Sequence, residues 1–351
     1  MILYIHIPFC DSKCNYCAFN SYTYLHHLKK DYIKSLKKQL LYELKNQNKK
    51  IETIFIGGGT PSTIEAHYYN EILNLVKPYF VDDNIEVTIE ANPNSATLNW
   101  LKDIYLTPIN RISFGVQSFD ENKLNFLARN HTKDQAIQAI ANAYDIGFQH
   151  INLDIIYDTK LDTKELLKYD LNIIKQLPID HISCYSLTIE ENTKFYKTPQ
   201  YKVENIDLVN YLFNQLKDLG FTQYEISNFA KEKDSRSKHN LGYWEYKEYL
   251  GIGSGAVGMV DFKRYYSNNN VQSYIQNPLK YEDIETLSSN DILIEKILLG
   301  FRSDVGVDLN ILDKAQLKKI KILENEKKIY IKDNIAFNCN FLLADALALY
   351  L

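Results

Sequence analysis

Ile2-Leu3-Tyr4-Ile5-His6-Ile7-Pro8-Phe9-Cys10-Asp11-Ser12-Lys13-Cys14-Asn15-Tyr16-Cys17 is the stretch that decides the reading. An apolar run from Ile2 to Ile7 reads as a buried strand, and three of the five cysteines follow within eight residues. Three thiolates on one short loop can each hold a corner of a cubane iron–sulfur cluster, whereas full ligation takes four cysteines. The fourth iron would stay open to a small molecule that binds through an amino and a carboxylate group. A zinc site would need His6, His26 or His27 as fourth ligand, and zinc is more often held by two separated Cys-x2-Cys knuckles. A disulfide framework fits poorly with five cysteines in 351 residues. Cys184 and Cys339 have apolar neighbours and read as core fillers.

Working outward, β-branched apolar runs alternate with amphipathic stretches through the first two thirds of the chain, the pattern of βα units around a parallel sheet. Strands are expected at Ile2 to Ile7, Thr53 to Ile56, Glu86 to Glu90, Arg111 to Val116, Ile151 to Ile155 and His181 to Ser186. Helices between them are expected near Asp31 to Leu44, Ala66 to Pro78, Thr97 to Ile104, Lys133 to Ile146 and Thr163 to Leu177, each long enough for a right-handed crossover. The fold class is therefore α/β, a partial (β/α)6 TIM-like barrel. Next come a helix at Ile206 to Leu219, a strand at Thr222 to Ile226 and a polar loop at Lys231 to Lys238. From about Leu287 the order becomes helix (Asp291 to Leu299), turn at Gly306, helix (Lys314 to Asn325) and a hairpin from Lys328 to Phe337 turning at Asp333-Asn334. That order resembles a small winged-helix domain.

A formal charge of −4 leaves no electrostatic footprint for nucleic acid. No stretch reaches the roughly 18 apolar residues of a membrane span, and the start lacks the flanks of a signal peptide. A cytoplasmic location, where thiols stay reduced, is expected.

Ligands of a parallel barrel gather where its strands end. Strand two runs into Gly57-Gly58-Gly59-Thr60-Pro61, where absent side chains would let a ligand approach the backbone closely. Strand three ends at Glu90-Ala91-Asn92-Pro93, and its acid could pair with an ammonium group. After strand four come Gln117, donor and acceptor together, and Arg129, whose planar fork matches a carboxylate. Strand five presents Asp154 among apolar neighbours, which is costly to bury without a partner such as a ribose diol. Each also fits a cap, a turn or a core role, yet together they fall at successive strand ends.

Tyr4-Ile-His-Ile-Pro-Phe-Cys10, Gly57-Gly-Gly-Thr-Pro61, Ile89-Glu-Ala-Asn-Pro93, Gly115-Val-Gln-Ser-Phe119, Arg129-Asn-His131 and Asn152-Leu-Asp154 resemble the radical SAM family that includes the oxygen-independent coproporphyrinogen III oxidases and the haem chaperones. The resemblance implies that Cys10, Cys14 and Cys17 ligate a 4Fe-4S cluster. It also implies that Tyr4, Tyr16, Gly58, Gly59, Thr60, Glu90, Gln117, Arg129 and Asp154 surround S-adenosylmethionine. The oxidases carry a further cysteine two residues past the third, where this chain has Phe19, and an N-terminal extension, whereas Cys10 lies just inside the start here. His239-Asn240-Leu241-Gly242-Tyr243-Trp244 is similar to the His-Asn-x-x-Tyr-Trp haem motif of the chaperone branch. A neutral imidazole is a common axial ligand for haem iron, and flanking rings such as Tyr243 and Trp244 can pack on a porphyrin face. A His with two nearby aromatics is also an ordinary packed cluster.

The resemblance divides the chain into a barrel at 1–230, a haem-motif and connecting region at 231–286, and the winged-helix-like domain at 287–351. The glycines of Leu250 to Gly258 read as close backbone approach or as a turn-rich return to the barrel mouth. Three functions stay open: a haem chaperone, a coproporphyrinogen oxidase and a cluster-based redox sensor. A chaperone implies haem and haem-acceptor apoproteins as partners, respiratory and membrane-associated ones among them, with a homodimer a further expectation. A carrier that must release its cargo suits an accessible axial site at His239.

Overall fold

The computed structural model describes residues 1–351. Strands and helices alternate from the start: β1 (Ile2–Ile7), α1 (Lys29–Lys45), β2 (Thr53–Gly58), α2 (Ala66–Val76), β3 (Glu86–Ala91), α3 (Leu98–Tyr105), β4 (Arg111–Gln117), α4 (Glu121–Leu127), α5 (Lys133–Ile146), β5 (His150–Tyr157), α6 (Lys164–Ile174) and β6 (His181–Ser186). The six strands pair in parallel in chain order, so each helix is a crossover on the outer face. The period of two along each strand sorts its residues. Leu3, Ile5, Ile54, Ile56, Val87, Ile89, Ile112, Phe114, Ile151, Leu153 and Ile182 join the main apolar core. The alternate positions, Tyr4, His6, Phe55, Glu86, Glu90, Arg111, Asp154 and His181 among them, belong to the opposite face and give the barrel a polar lumen. Helix starts carry the expected caps: Thr97, Asp120, Thr132 and Thr163 each accept a backbone N–H at their helix N-terminus.

The second part widens the same sheet. It comprises α7 (Ile206–Asp218), β7 (Thr222–Gln223), β8 (Asn228–Ala230), α8 (Lys238–Trp244), β9 (Tyr249–Ile252), β10 (Val257–Val260), β11 (Lys263–Ser267), α9 (Val271–Gln276) and β12 (Tyr281–Thr286). β8 pairs antiparallel with β6, β9 lies parallel beside β1, and β10 to β12 continue as an antiparallel meander, for twelve strands in all. The glycine-rich Leu250 to Gly258 is thus a strand pair with its turn, where a Cβ on Gly251 would collide with the carbonyl of Val257. The expected strand from Thr222 to Ile226 shrinks to two residues, because Tyr224 N–H turns to Asn228 O and Ile226 N–H to Arg302 O.

The last part holds α10 (Ser289–Phe301), β13 (Val307–Asp308), α11 (Lys314–Asn325), β14 (Ile329–Lys332), β15 (Ile335–Asn338) and α12 (Ala344–Tyr350), with a three-stranded antiparallel sheet and its own ten-residue core. Asp333 and Asn334 both have positive φ, 49° and 62°, as a two-residue hairpin turn of the primed kind requires. Cys339 is exposed, not a core filler, since it lies past the end of β15 outside that core, whereas Cys184 is buried. This part grips the segments on either side of α8: Tyr246 donates to Glu295 of α10 at 2.7 Å, Arg236 pairs with Asp304, and Asp304 N–H reaches Tyr224 O at 2.9 Å. No helix is long and apolar enough to cross a membrane.

Candidate functional site: two cavities in one barrel

A cavity of about 480 Å³ opens at the C-terminal ends of the strands. Cys10, Cys14, Cys17, Tyr16, Gly58, Gly59, Thr60, Glu90, Gln117, Arg129 and Asp154 all line it, drawn from β1 to β5 and the loops that follow. The cysteine loop is held from both sides. Asn15 bonds Phe126 O and Leu127 O at the end of α4, Lys13 reaches Phe19 O and Ser21, and Asn20 donates to Ser254 O and Asn269 O. Cys10 Sγ accepts from Thr60 Oγ1 at 3.2 Å, and burial pushes this thiol above its ordinary range despite that bond. Cys14 Sγ accepts from Arg129 Nη1 at 3.2 Å. No three His, Cys, Asp or Glu side chains converge as they would on a single metal ion. Three cysteines of one loop line the same cavity, and three thiolates without a fourth are the donor set of a cluster with one open iron and not of a closed zinc site.

The glycine triplet plays another part than the sequence suggests. Its side-chain space is filled by protein: a Cβ on Gly57 would lie 2.8 Å from Glu90 Oε2, on Gly58 2.5 Å from the His6 ring, and on Gly59 2.7 Å from Phe9 O. Gly58 also sits at φ 109°. The N–H groups of Gly58, Gly59 and Thr60 are taken by Glu90, Ile7 O and Phe9 O, so the triplet fastens β2 to the cysteine loop.

Gln117 stands at φ 73°, where the β4–β5 register slips after Phe114. That conformation is uncommon outside glycine and tends to mark functional positions. Arg129 donates from Nη2 to Asn92 Oδ1 and to Gly115 O, both at 2.6 Å, which leaves its buried Nε without a partner. Glu90 is pushed up to about 8 by burial and then by the nearby Asp154, against one bond from Gly58 N–H. Burial raises Asp154 to about 6 despite the amide and hydroxyl groups around it. Two uncompensated acids and a guanidinium with a free donor suit a ligand that brings an ammonium group, hydroxyls and a carboxylate, as S-adenosylmethionine does.

A second cavity of about 520 Å³ lies on the inner face of β1, β2 and β9, and Gly58 and Glu90 belong to both. Tyr4 lines this one and not the first; its hydroxyl bonds His6 Nδ1 at 2.9 Å. His239, Asn240 and Tyr243 of α8 line it too, while Trp244 does not. α8 closes the bottom of the barrel. Its first amides, Lys238 and His239, donate to Glu86 at 3.0 and 2.9 Å, Arg111 donates to Ser235 O at 2.9 Å, and Ser237 caps Asn240 N–H. His239 is 1 % exposed, so the accessible axial site expected from the sequence is absent in this conformation. Thr53 Oγ1 holds Nδ1 at 2.9 Å, and Phe55 and Tyr243 pack on the ring at 5.2 and 5.1 Å between centroids. Nε2 is buried with no partner, and burial lowers the imidazole to about 3, which keeps it neutral.

Sequence reasoning passed over Asn92, Glu86, Arg111 and His181. Asn92 follows β3 and Glu86, Arg111 and His181 open their strands, so each offered only a polar residue at the border of a buried strand pattern.

A partial barrel with a Cys-x3-Cys-x2-Cys loop at the end of its first strand defines a class, and residues 4–169 match the radical SAM superfamily. The chain is 32 % identical to Heme chaperone HemW of Bacillus subtilis, over 87 % of this chain and 84 % of that one. It is 38 % identical to that of Haemophilus influenzae, over 80 % and 77 % of the two chains. The solved Escherichia coli coproporphyrinogen III oxidase superposes with a TM-score of 0.81 over 99 % of this chain and 89 % of that one, at 19 % identity, which is a likeness of fold. The chain belongs to the HemW family of radical SAM proteins. Membership of that superfamily implies a 4Fe-4S cluster and S-adenosylmethionine.

Proposed function

We propose that this protein is a haem chaperone that carries a 4Fe-4S cluster on Cys10, Cys14 and Cys17 and binds S-adenosylmethionine against it. Tyr16, Glu90, Gln117, Arg129 and Asp154 hold that ligand, and Gly58, Gly59 and Thr60 form the wall beside it, their N–H groups being spent on the chain itself. Tyr4 acts from the second cavity through His6. A 4Fe-4S cluster held by Cys10, Cys14 and Cys17 would supply electrons to the bound ligand, while the chain orients it: Arg129 takes the carboxylate, Glu90 the ammonium group, Asp154 the ribose. Haem is taken up on His239, with Tyr243 as the flanking ring and Trp244 outside the cavity, and is passed to acceptor apoproteins, respiratory and membrane-associated ones included. The work is done in the cytoplasm, without nucleic acid, by a monomer or homodimer.

One observation carries the haem assignment: a neutral imidazole whose Nδ1 is occupied by Thr53 and whose Nε2 is buried without a partner beside a cavity. Where Nδ1–H donates to Thr53 Oγ1, Nε2 presents a lone pair that is costly to leave unpaired and is the form that binds iron. Because His239 is 1 % exposed, uptake includes a step in which α8 and the lumen wall part. The test is a titration of the cluster-reconstituted protein with ferric haem. The Soret band should shift and sharpen in the natural chain and weaken in His239→Ala, and coproporphyrinogen III should stay unconverted with reductant and S-adenosylmethionine present. Equal Soret spectra for both chains, or robust conversion, would overturn the reading.

A further inference from the structure

Buried side chains that line neither cavity join Asp154 of the first to the start of α8. Asn152 Nδ2 donates to Asp154 Oδ1 at 2.8 Å, Asn152 Oδ1 meets His181 Nδ1 at 2.6 Å, His181 Nε2 meets Tyr224 Oη at 2.7 Å, and Ser237 N–H donates to that hydroxyl at 3.0 Å. Asn152, His181 and Tyr224 are 4, 2 and 0 % exposed. The line starts at the acid beneath the first cavity and ends on the residue that caps α8, two before His239.

Its polarity is forced at every step. A carboxylate only accepts, so the amide nitrogen of Asn152 faces Asp154 and its oxygen faces His181. That oxygen can only accept, so His181 carries its proton on Nδ1, and burial holds the imidazole neutral with Nε2 bare. Tyr224 therefore donates to Nε2, and its oxygen is free to accept from Ser237 N–H. All four donors point toward Asp154, the arrangement in which successive bonds reinforce one another. No step can reverse while Asp154 remains an acceptor. His181 and Tyr224 have no other side-chain hydrogen-bond partners.

We propose that His181 and Tyr224 are positioning residues that couple occupancy of Asp154 by a nucleoside's ribose to the seating of α8, and so to the mobility of His239. This rests on the reading of Asp154 as the ribose contact and His239 as the haem ligand. A diol on Asp154 fixes the end acceptor of the line in one orientation, and the ordering is passed through two lumen-facing strands to the cap at Ser237. A second ligand that needs α8 then meets an already ordered helix, which is coupling without a change of fold.

The probe is S-adenosylhomocysteine, added to the cluster-reconstituted full chain, with amide hydrogen exchange read on the peptide that spans 236–246. Exchange should slow at least fivefold on saturation in the natural chain, in line with the usual range of coupling between sites. The ratio with and without ligand should fall to near one in Tyr224→Phe, which removes only the hydroxyl, and in Asn152→Ala, which cuts the line at its other end. A ratio, unlike the absolute rate, is not moved by a uniform loosening of α8. Equilibrium dialysis of the same samples separates the failures. Binding without protection of α8, or full protection retained in both variants, would overturn the coupling alone; absence of binding would overturn the ribose reading and the coupling with it.

Discussion

Removing the Glu86 carboxylate should release the floor of the barrel. Glu86 is buried and accepts the first two amides of α8, Lys238 N–H on Oε2 at 3.0 Å and His239 N–H on Oε1 at 2.9 Å. Its other neighbour is Arg111, with Nη1 4.0 Å from Oε2, itself buried and with Nη2 unpartnered. A hydrogen bond to a charged acceptor is worth about 1.5–3 kcal/mol, and two of them set an upper limit near ~6 kcal/mol. Water that enters the opened end recovers part of that, so about 3 kcal/mol is the expected loss of local stability in Glu86→Ala. At 1.4 kcal/mol per tenfold this is roughly a hundredfold faster exchange at the start of α8. The main core contains neither Glu86 nor Arg111, so exchange in α1 and α5 should change little. Glu86→Gln keeps one acceptor but turns an amide nitrogen on the other N–H, and should lose more than half as much. Hydrogen exchange with mass spectrometry on 236–246 reads the effect. Less than a threefold change in Glu86→Ala would show that α8 is held by something other than this carboxylate.

Gly58→Ala places a methyl 2.5 Å from the His6 ring at φ 109° and should cost roughly 2–3 kcal/mol, seen as a lower urea midpoint and reduced iron retention on reconstitution. Arg129→Lys keeps the charge but not the fork that reaches Cys14, Asn92 and Gly115 together; binding of S-adenosylhomocysteine should weaken at least tenfold in equilibrium dialysis, with iron content preserved. Cys14→Ser should lower iron and labile sulfide after reconstitution while the haem Soret titration keeps its His239-dependent change. Glu90, raised from 4.5 to about 8, holds a proton in the folded chain that the unfolded chain has released between those values. Stability of the ligand-free protein should therefore fall as pH rises from about 5 to 8, and Glu90→Gln should flatten that slope in urea titrations at the two ends of the window.

The strands were legible because their outward residues are apolar at every second place, and β1 and β6 begin and end where the sequence puts them. The strand-end rule likewise gathered the cysteines, Glu90, Gln117, Arg129 and Asp154 around one cavity. The inward residues were harder. Glu86, Arg111 and His181 look like polar strand starts in contact with water, and acquire a role only when α8, more than fifty residues away in the chain, closes over them. Tyr4 falls beside His239 for a related reason: its height in the lumen depends on the stagger of β1 against β2 and β9, which no local pattern encodes. The glycines of Gly57 to Gly59 announced a close approach correctly, but the partner that approaches is the chain itself.

The attachment of α10 through Glu295 to Tyr246, two residues past α8, together with the Arg236–Asp304 pair just before it, makes the C-terminal part a foundation for the lumen floor. A floor built on another body cannot tilt alone. Any shift of that body is handed on to the helix that bears the imidazole of His239.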